Sequence, residues 1–568
     1  MRLQVADHRR RAGRRERPRA YPVLRMVVRT FHAPPPPPPR RRGWLLGSAA
    51  VLAVAIAGFV VLVAVWSGAT LSADPAALAK VGLQPFAGKL VRATAFAPNG
   101  SAIPLAVDDG RLEPLAKVTP GELISVDVVV RRPGWLSWAL GSDRAERLTV
   151  RAPLAGVRSR WLTLAAGAPL RIAFDQPVRV VSYARPGQRP VQLALPAPAS
   201  TVELPVLSGA GTVEVSAAVR SWERLSAPTA VTWFPSARTP VLVADPAPGA
   251  DISPRQPIRL TFSQPLASVM GSSRPALEPA TPGSWHEVDS HTLVFTPSGL
   301  GAPLGTTMRL TLSRAVALTN ASGALAAATE QLTWTVPLGS TERLQQLLAQ
   351  EGYLPLSWKP AGAPLARTAA AETSAAISPP AGSFSWRYPN TPSQLRALWR
   401  PGQPNVIIRG AVMTFERTHG LAVDGIAGPI VWHALLADAI ASRRFTAPYS
   451  YVYVRKAVPQ LLTLWSAGRT VLTSPGNTGV PAAPTKSGTF PVFEHIPSGT
   501  MSGTDPDGSH YNDPGVRWIS YFNGGDALHA FPRASYGTPQ SLGCVELPLA
   551  AAAQVWPYTP VGTLVTIE

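Results

Sequence analysis

The chain has 568 residues, with 53 Lys and Arg against 33 Asp and Glu, 61 Pro, 46 Gly and a single cysteine. At roughly 150 residues per domain this implies three or four domains, and Pro and Gly spread along the whole length favour short strands and turns over a helical bundle. The lone cysteine excludes an internal disulfide framework. The net charge of +20 does not point to nucleic acid either, because residues 1–43 alone hold thirteen Arg against Asp7 and Glu16, and no helix-turn-helix or zinc-finger spacing accompanies them.

Residues 1–43 read as a basic, Pro-rich cytoplasmic tail whose Pro34 to Pro39 run is a stiff spacer. From Trp44 to Trp66 there are 23 residues without a charge. A helix needs about 20 apolar residues to cross a bilayer. Trp at both ends suits the interfacial belt, and Arg40, Arg41 and Arg42 suit the cytoplasmic side. A single-pass transmembrane helix is therefore expected over 44–66, with everything after it outside the cytoplasm. A cleaved signal peptide is the competing reading, but its apolar core would be about 7–15 residues.

Residues 85–337 lack helical periodicity, and β-branched runs such as Leu123 to Val130 alternate with Pro/Gly turns. There is a repeat: Pro169-Leu-Arg-Ile-Ala-Phe-Asp-Gln-Pro177 returns as Pro257-Ile-Arg-Leu-Thr-Phe-Ser-Gln-Pro265, 88 residues later. Alternation places Leu260 and Phe262 on one strand face and Arg259 and Thr261 on the other. The segment resembles bacterial Ig-like domains of exported wall proteins. That resemblance implies β-sandwiches: an Ig-like region over 85–240 and an Ig-like domain over 243–337, serving as spacer and platform.

Ser340 is placed to cap a helix presenting Leu344, Leu347 and Leu348. An Ala/Pro/Ser-rich insert at 357–403 follows, then a helix with Ile408, Ala411, Val412 and Phe415 on one face. The turn Val423-Asp-Gly-Ile-Ala-Gly-Pro429 leads to Trp432 and Leu435. Asp424 is expected to bond turn amides, with the glycines permitting positive φ. His419 and His433 have no carboxylate or Cys at ligand spacing and are expected at solvent or at a helix end. Residues 340–437 are similar to the three-helix peptidoglycan-binding domain, and that resemblance alone supplies a glycan ligand.

From Tyr449 the pattern returns to strands. Cys544 lies in Ser541-Leu-Gly-Cys-Val-Glu-Leu547, fifteen residues after His529. An exported free thiol is a liability unless its chemistry is used. Acyl transfer needs a nucleophile, a base and an oxyanion site. Cys544 supplies the thiol. His529 takes its proton, in a thiolate–imidazolium pair that lowers the Cys pKa. The Gly543 and Cys544 amides are placed to meet the oxyanion. Ser541 suits a supporting hydrogen bond, while Tyr521, Asn523 and Arg533 are candidate substrate-binding residues. Arg533, Tyr536 and Gln540, on the loop between His529 and Cys544, suit substrate contacts or a solvated loop equally. Asp505, Asp507, His510 and Asp513 fit neither an EF-hand nor a zinc-hydrolase spacing and read as a flap over the cleft.

With Thr485-Lys-Ser-Gly-Thr-Phe490, this pattern over 449–568 resembles the L,D-transpeptidase catalytic domain. The chain departs from that family at Leu542 (usually His), Ala530 (usually Gly or Ser) and Glu546 (usually Arg or Asn). Ala530 should serve, since the family orients its His through that residue's backbone carbonyl, whereas Glu546 alters local charge. The resemblance implies a multidomain, mainly β wall enzyme forming 3→3 cross-links between peptidoglycan stem peptides through a cysteine acyl-enzyme, with carbapenems as inhibitors. No cofactor, metal or nucleic-acid partner is expected. The alternatives are a carboxypeptidase, with water as acceptor, and a silent wall-binding protein.

Overall fold

The structure, a computed structural model, describes residues 44–568 except 166, 186, 206–208 and 320–324, and omits the side chains of 44–49, 136 and 139. The basic tail expected at 1–43 lies outside the described residues. Two compact units divide the chain, one drawn from Met1–Leu115 and Ile124–Val150, the other from Ala116–Leu123 and Arg151–Glu568.

In the first unit, helix α1 spans Trp44–Val65. The Arg144 guanidinium donates to the Ala64 and Val65 carbonyls at its C-terminal end, where orphan carbonyls and the negative pole of the helix favour a cation. Among the described residues no helix is long and apolar enough to cross a membrane, and the side chains of α1 are described only from residue 50 onward. Two four-stranded sheets complete this unit. Strand Leu123–Arg131 shows why the apolar run forms a strand: Ile124, Val126, Val128 and Val130 are all buried, and the residues between them face outward. The unit begins its strands at Ala69, and the stretch expected as one region over 85–240 is divided between the two units.

The second unit starts with two β layers. The first copy of the repeat lies in strand Leu170–Ala184, second from the edge of a five-stranded sheet, and the second in Ile258–Phe262, an inner strand of a seven-stranded one. Ile172, Phe174, Leu260 and Phe262 are buried as the alternation requires. Thr261 is not on an open face: it is buried too, its hydroxyl 3.4 Å from that of Thr292 on the neighbouring strand.

Helices α2 (Thr341–Gln350), α3 (Ala369–Ile377), α4 (Val406–Thr418) and α5 (Pro429–Ala441) form the next module. Leu344, Leu347, Leu348, Phe415, Trp432 and Leu435 meet in its core. Ser340 holds the N-cap position of α2 without a side-chain bond, whereas Asn405 caps α4 by accepting the Ile408 N–H. The insert expected at 357–403 is built structure: paired strands Leu356–Pro360 and Gly382–Trp386 flank α3, and a short helix Ser393–Ala397 follows. Asp424 accepts the Ile426 N–H at 2.7 Å. Gly425 sits at φ 72, but Gly428 does not need positive φ. Buried Glu416 accepts the Asp424 and Gly425 amides and so ties the turn to α4. His433 is exposed. His419 lies at a helix end, as the C-cap of α4, where it also stacks on Phe415 and meets Asp438 of α5 at 2.8 Å. That partner is one the spacing along the chain could not reveal.

The C-terminal domain carries two sheets. Strands β1 (Ser450–Arg455), β2 (Leu461–Ser466), β3 (Arg469–Pro475), β4 (Gly488–Pro491) and, from the chain end, Leu564–Ile567 form one, in order β3-β2-β1-(564–567)-β4. Strands β5 (Glu494–Thr504), β6 (His510–Asn523), β7 (Asp526–Ala530) and β8 (Val545–Leu547) form the other, in that order. Val452, Leu464, Leu528, Val545, Leu547 and Val565 fill the core between them.

Candidate active site

The decisive local feature is the parallel pairing of β7 with β8, in which Leu528 faces Val545, His529 faces Glu546 and Ala530 faces Leu547. Alternate residues of a strand point to opposite faces. Leu528, Ala530, Val545 and Leu547 therefore enter the core, and His529 with Glu546 takes the other face. Cys544, one residue before β8, falls on that same face beside Ala527, in a cluster with Ile496, Met501 and Tyr521. The fifteen-residue separation in sequence thus becomes a diagonal neighbour relation across two strands.

His529 is 4% exposed, and its Nδ1 lies 3.1 Å from the Ala530 carbonyl. A carbonyl only accepts, so Nδ1 carries the proton and Nε2 is left with the basic lone pair. Burial holds its pKa below the ordinary 6.5, against the opposing effects of the Ala530 bond and the Glu546 and Asp513 charges. The ring is neutral at pH 7.

Cys544 is half-buried, and its thiol donates to the Gly525 carbonyl at 3.6 Å. Burial pushes it up to about 12; the Ala527 backbone opposes this, while Asp526 and Glu546 add to it. No hydrogen bond joins the thiol to His529 among the described residues. Both shifts disfavour the expected thiolate–imidazolium pair in the resting site. The cause is desolvation, which disfavours both charges at once.

Gly543 is buried at φ 123, and a Cβ there would collide with Asp526 Oδ1. Only glycine suits the position on both counts. Its N–H is engaged by Ser541 Oγ at 3.3 Å. The Cys544 amide has no partner among the described residues and is left free. Ser541, 2% exposed, donates to the Cys544 carbonyl at 2.6 Å, and Thr485 donates to the same oxygen at 3.4 Å. These hydroxyls fix the peptide that carries Cys544.

The expected substrate-binding residues are more engaged than open. Arg533 grips Glu546 with two bonds, of 2.8 and 2.7 Å, lies over the Phe531 ring at 4.6 Å, and also reaches the Gln540 carbonyl. The charge of Glu546 is thereby neutralised within the scaffold. Tyr536 donates to the Phe531 carbonyl, and Gln540 bonds Ser535 and Thr538. Tyr521 is half-buried, its ring 6.2 Å from Phe493, with its phenol raised by burial and by Cys544. Asn523 donates to Asp526 Oδ2 at 3.1 Å.

Three residues went unmarked in the sequence. Asp526 is a half-buried carboxyl raised by desolvation beside Gly543; its one signal was an acid opening a strand of apolar residues. Asn477 and Gln460, both fully buried, strap the His–Cys loop. Asn477 Oδ1 accepts the Gly537 N–H at 2.9 Å, and Gln460 spans the Thr478 amide and hydroxyl. Nothing local distinguished them from surface amides. Asp505, Asp507, His510 and Asp513 lie at the turn and along one arm of the β5–β6 hairpin, whose Ile496 and Met501 pack beside Cys544. A cavity of about 420 Å3 between α4 and residues 557–563 contains none of these groups.

Residues 449–567 match the family model of the L,D-transpeptidase catalytic domain. No curated protein matches the chain. Among solved structures, an L,D-transpeptidase from Mycobacterium smegmatis is 13% identical, covering 58% of this chain and 99% of its own, with a TM-score of 0.20. One from Mycobacterium tuberculosis, in complex with a faropenem-derived adduct, is 12% identical over 58% and 98%, with a TM-score of 0.20. The catalytic domain of the E. faecium L,D-transpeptidase is 23% identical over 22% and 100%, also with a TM-score of 0.20.

Proposed function

From the L,D-transpeptidase catalytic domain at 449–567, we propose that this chain cross-links peptidoglycan stem peptides through a thioester on Cys544. The observation that carries the reading is the tautomer of His529: its Nδ1–H is bound to Ala530, so Nε2 on the Cys544 face is basic. The thiol proton passes to Nε2 as Sγ attacks the carbonyl of the third stem residue, and the oxyanion takes the Cys544 N–H. Collapse breaks the peptide bond, and the imidazolium returns the proton to the departing terminal D-residue. An amine from a second stem then attacks the thioester, His529 accepts its proton, and the 3→3 bond forms with the thiol restored. Since the thiol rests near 12 and the imidazole below 6.5, proton transfer is coupled to attack and does not precede it. Incubation of the protein with a purified tetrapeptide stem, read by mass spectrometry, should give the cross-linked dimer. Tripeptide alone would assign water as acceptor, and unchanged substrate would refute the reading.

The remaining parts of the proposal concern placement. Trp44 to Trp66 anchors the chain in the membrane with residues 1–43 inside, and 340–437 binds the wall. In fractionated cells the chain should sediment with membranes, be digested after about residue 67 by protease added outside, and, once solubilised, pellet with sacculi. A soluble or externally resistant chain, or one left in the supernatant, overturns the corresponding part.

A further inference from the structure

Among the described residues thirteen buried side-chain polar atoms lack a partner, and four of them belong to residues around one cavity: Arg343 Nε, both carboxylate oxygens of Glu351, and Trp358 Nε1. Buried polar groups are normally satisfied, and each exception asks for an explanation. The cavity, of about 180 Å3, is lined from α2, α5, strand Leu356–Pro360 and the loop leading into α3. It lies well away from Cys544 in sequence and owes two of its walls to the insert. Its volume exceeds what a single water fills.

The charges around it divide cleanly. Arg343 is bound to Glu372 at 2.6 Å, and Asp438 holds Arg443 at 2.6 Å and His419 at 2.8 Å. Glu351, 3% exposed, has no such partner. Arg367 and Arg444 are exposed on the rim and form no ion pair among the described residues. Burial, then the charges of Asp438 and Glu372, pushes Glu351 up to about 9. The wall thus combines an unpartnered carboxyl with unpartnered N–H donors and the unpaired guanidiniums of the rim. A simple anion would leave Glu351 unanswered, and a simple amine would leave the donors unanswered.

We propose that this pocket binds the zwitterionic head of an amino acid, its ammonium against Glu351 and its carboxylate against Trp358 Nε1, Arg343 Nε and the rim guanidiniums of Arg367 and Arg444. The head group is supplied either by a free amino acid or by a diamino-acid side chain of a wall peptide, whose end keeps both its ammonium and its carboxylate free. The site is independent of acyl transfer, so its test uses the full-length Cys544→Ala protein, in which turnover cannot contribute heat. Calorimetric titration with D- and L-alanine, N-acetylalanine, alaninamide and a stem tripeptide ending in a diamino acid with a free zwitterionic side-chain end separates the possibilities. Alanine or the tripeptide should saturate, which also identifies the source. Each blocked alanine should bind about tenfold weaker or worse, since a hydrogen bond to a charged group is worth about one to two decades.

Glu351, neutral in the empty pocket, releases its proton as the ammonium binds, so Glu351→Gln, which cannot ionise, and Arg367→Ala, each added to that protein, should likewise lose about tenfold or more. Glu351→Gln carries its own folding control. A carboxyl raised from 4.5 to about 9 on folding has its stabilising contribution intact below pH 4.5 and loses it as pH rises toward 9. The Gln variant escapes that loss, so its melting temperature should exceed the parent's at pH 8 and equal it at pH 4. A more stable protein that has lost its ligand fits the proposal and not a structural role. The proposal is overturned if neither alanine nor the tripeptide binds, if blocked alanines bind equally well, or if both variants bind as the parent does; the first of these assigns the cavity to water.

Discussion

Replacing Cys544 by Ala should abolish both stem-peptide turnover and covalent labelling by carbapenem β-lactams, the inhibitors implied by the family resemblance. Cys544→Ser should be nearly as inactive, because a hydroxyl is far harder to deprotonate with one neutral imidazole. His529→Ala should keep a slow thiol and lose about 10²–10⁴-fold, the usual worth of general acid–base help. The pH profile separates this from a structural loss. The working form of His529 is neutral, and burial lowers its pKa, so the ring stays competent further into acid than a free histidine. The acid limb of kcat/KM should therefore fall below pH 6.5 and vanish in His529→Ala. With the thiol near 12, its ionisation should produce no alkaline limb through pH 9. An acid limb at or above pH 7, or an alkaline plateau set by a thiol near 8, would contradict these shifts.

The second large effect is expected at Arg533. Its replacement by Ala strands the Glu546 carboxylate, 4% exposed and two residues beyond the nucleophile. Breaking a buried ion pair from one side costs about 3–5 kcal/mol, and the low end applies because the Arg533 side chain keeps 33% of its surface exposed. The loop also loses the Phe531 stack and the bond to Gln540. Arg533→Ala should melt lower and lose kcat, and Arg533→Ala/Glu546→Gln should recover much of the stability because no charge is left buried. If Arg533 held a substrate carboxylate instead, the single variant would raise KM at unchanged stability. Thermal melts and the KM-against-kcat split of both variants decide between the two.

These expectations show what the chain makes legible by itself. Cys544 and His529 stand out because a lone thiol, a preceding glycine and a nearby histidine are short-range features. Helices α2 and α4 are readable because their leucines, isoleucines and phenylalanine recur every three or four residues along one face. The parallel β7–β8 ladder leaves no such trace, yet it alone sets which face His529 and Glu546 share. The Arg533–Glu546 pair spans a loop, and the sequence offers Arg533 equally as a substrate ligand. Asn477, Gln460 and Glu351 look like ordinary surface polar residues until burial reveals what they bond or fail to bond. The insert escaped because its Ala, Pro and Ser composition resembles a linker, while its order rests on pairing Leu356–Pro360 with Gly382–Trp386 across 21 intervening residues (361 to 381). Ionisation is the least legible quantity of all: the shifts of Cys544 and His529 follow from how much solvent the folded cleft excludes.

The most direct measurement is the intact mass of the wild-type chain quenched in acid during turnover of a stem tetrapeptide, followed by peptide mapping. The account predicts a tripeptide acyl adduct on the fragment containing Cys544, lost on mild hydroxylamine treatment as a thioester would be and absent from Cys544→Ala. Turnover in the Cys544→Ala protein at the wild-type rate, or an adduct on any other residue, would contradict it.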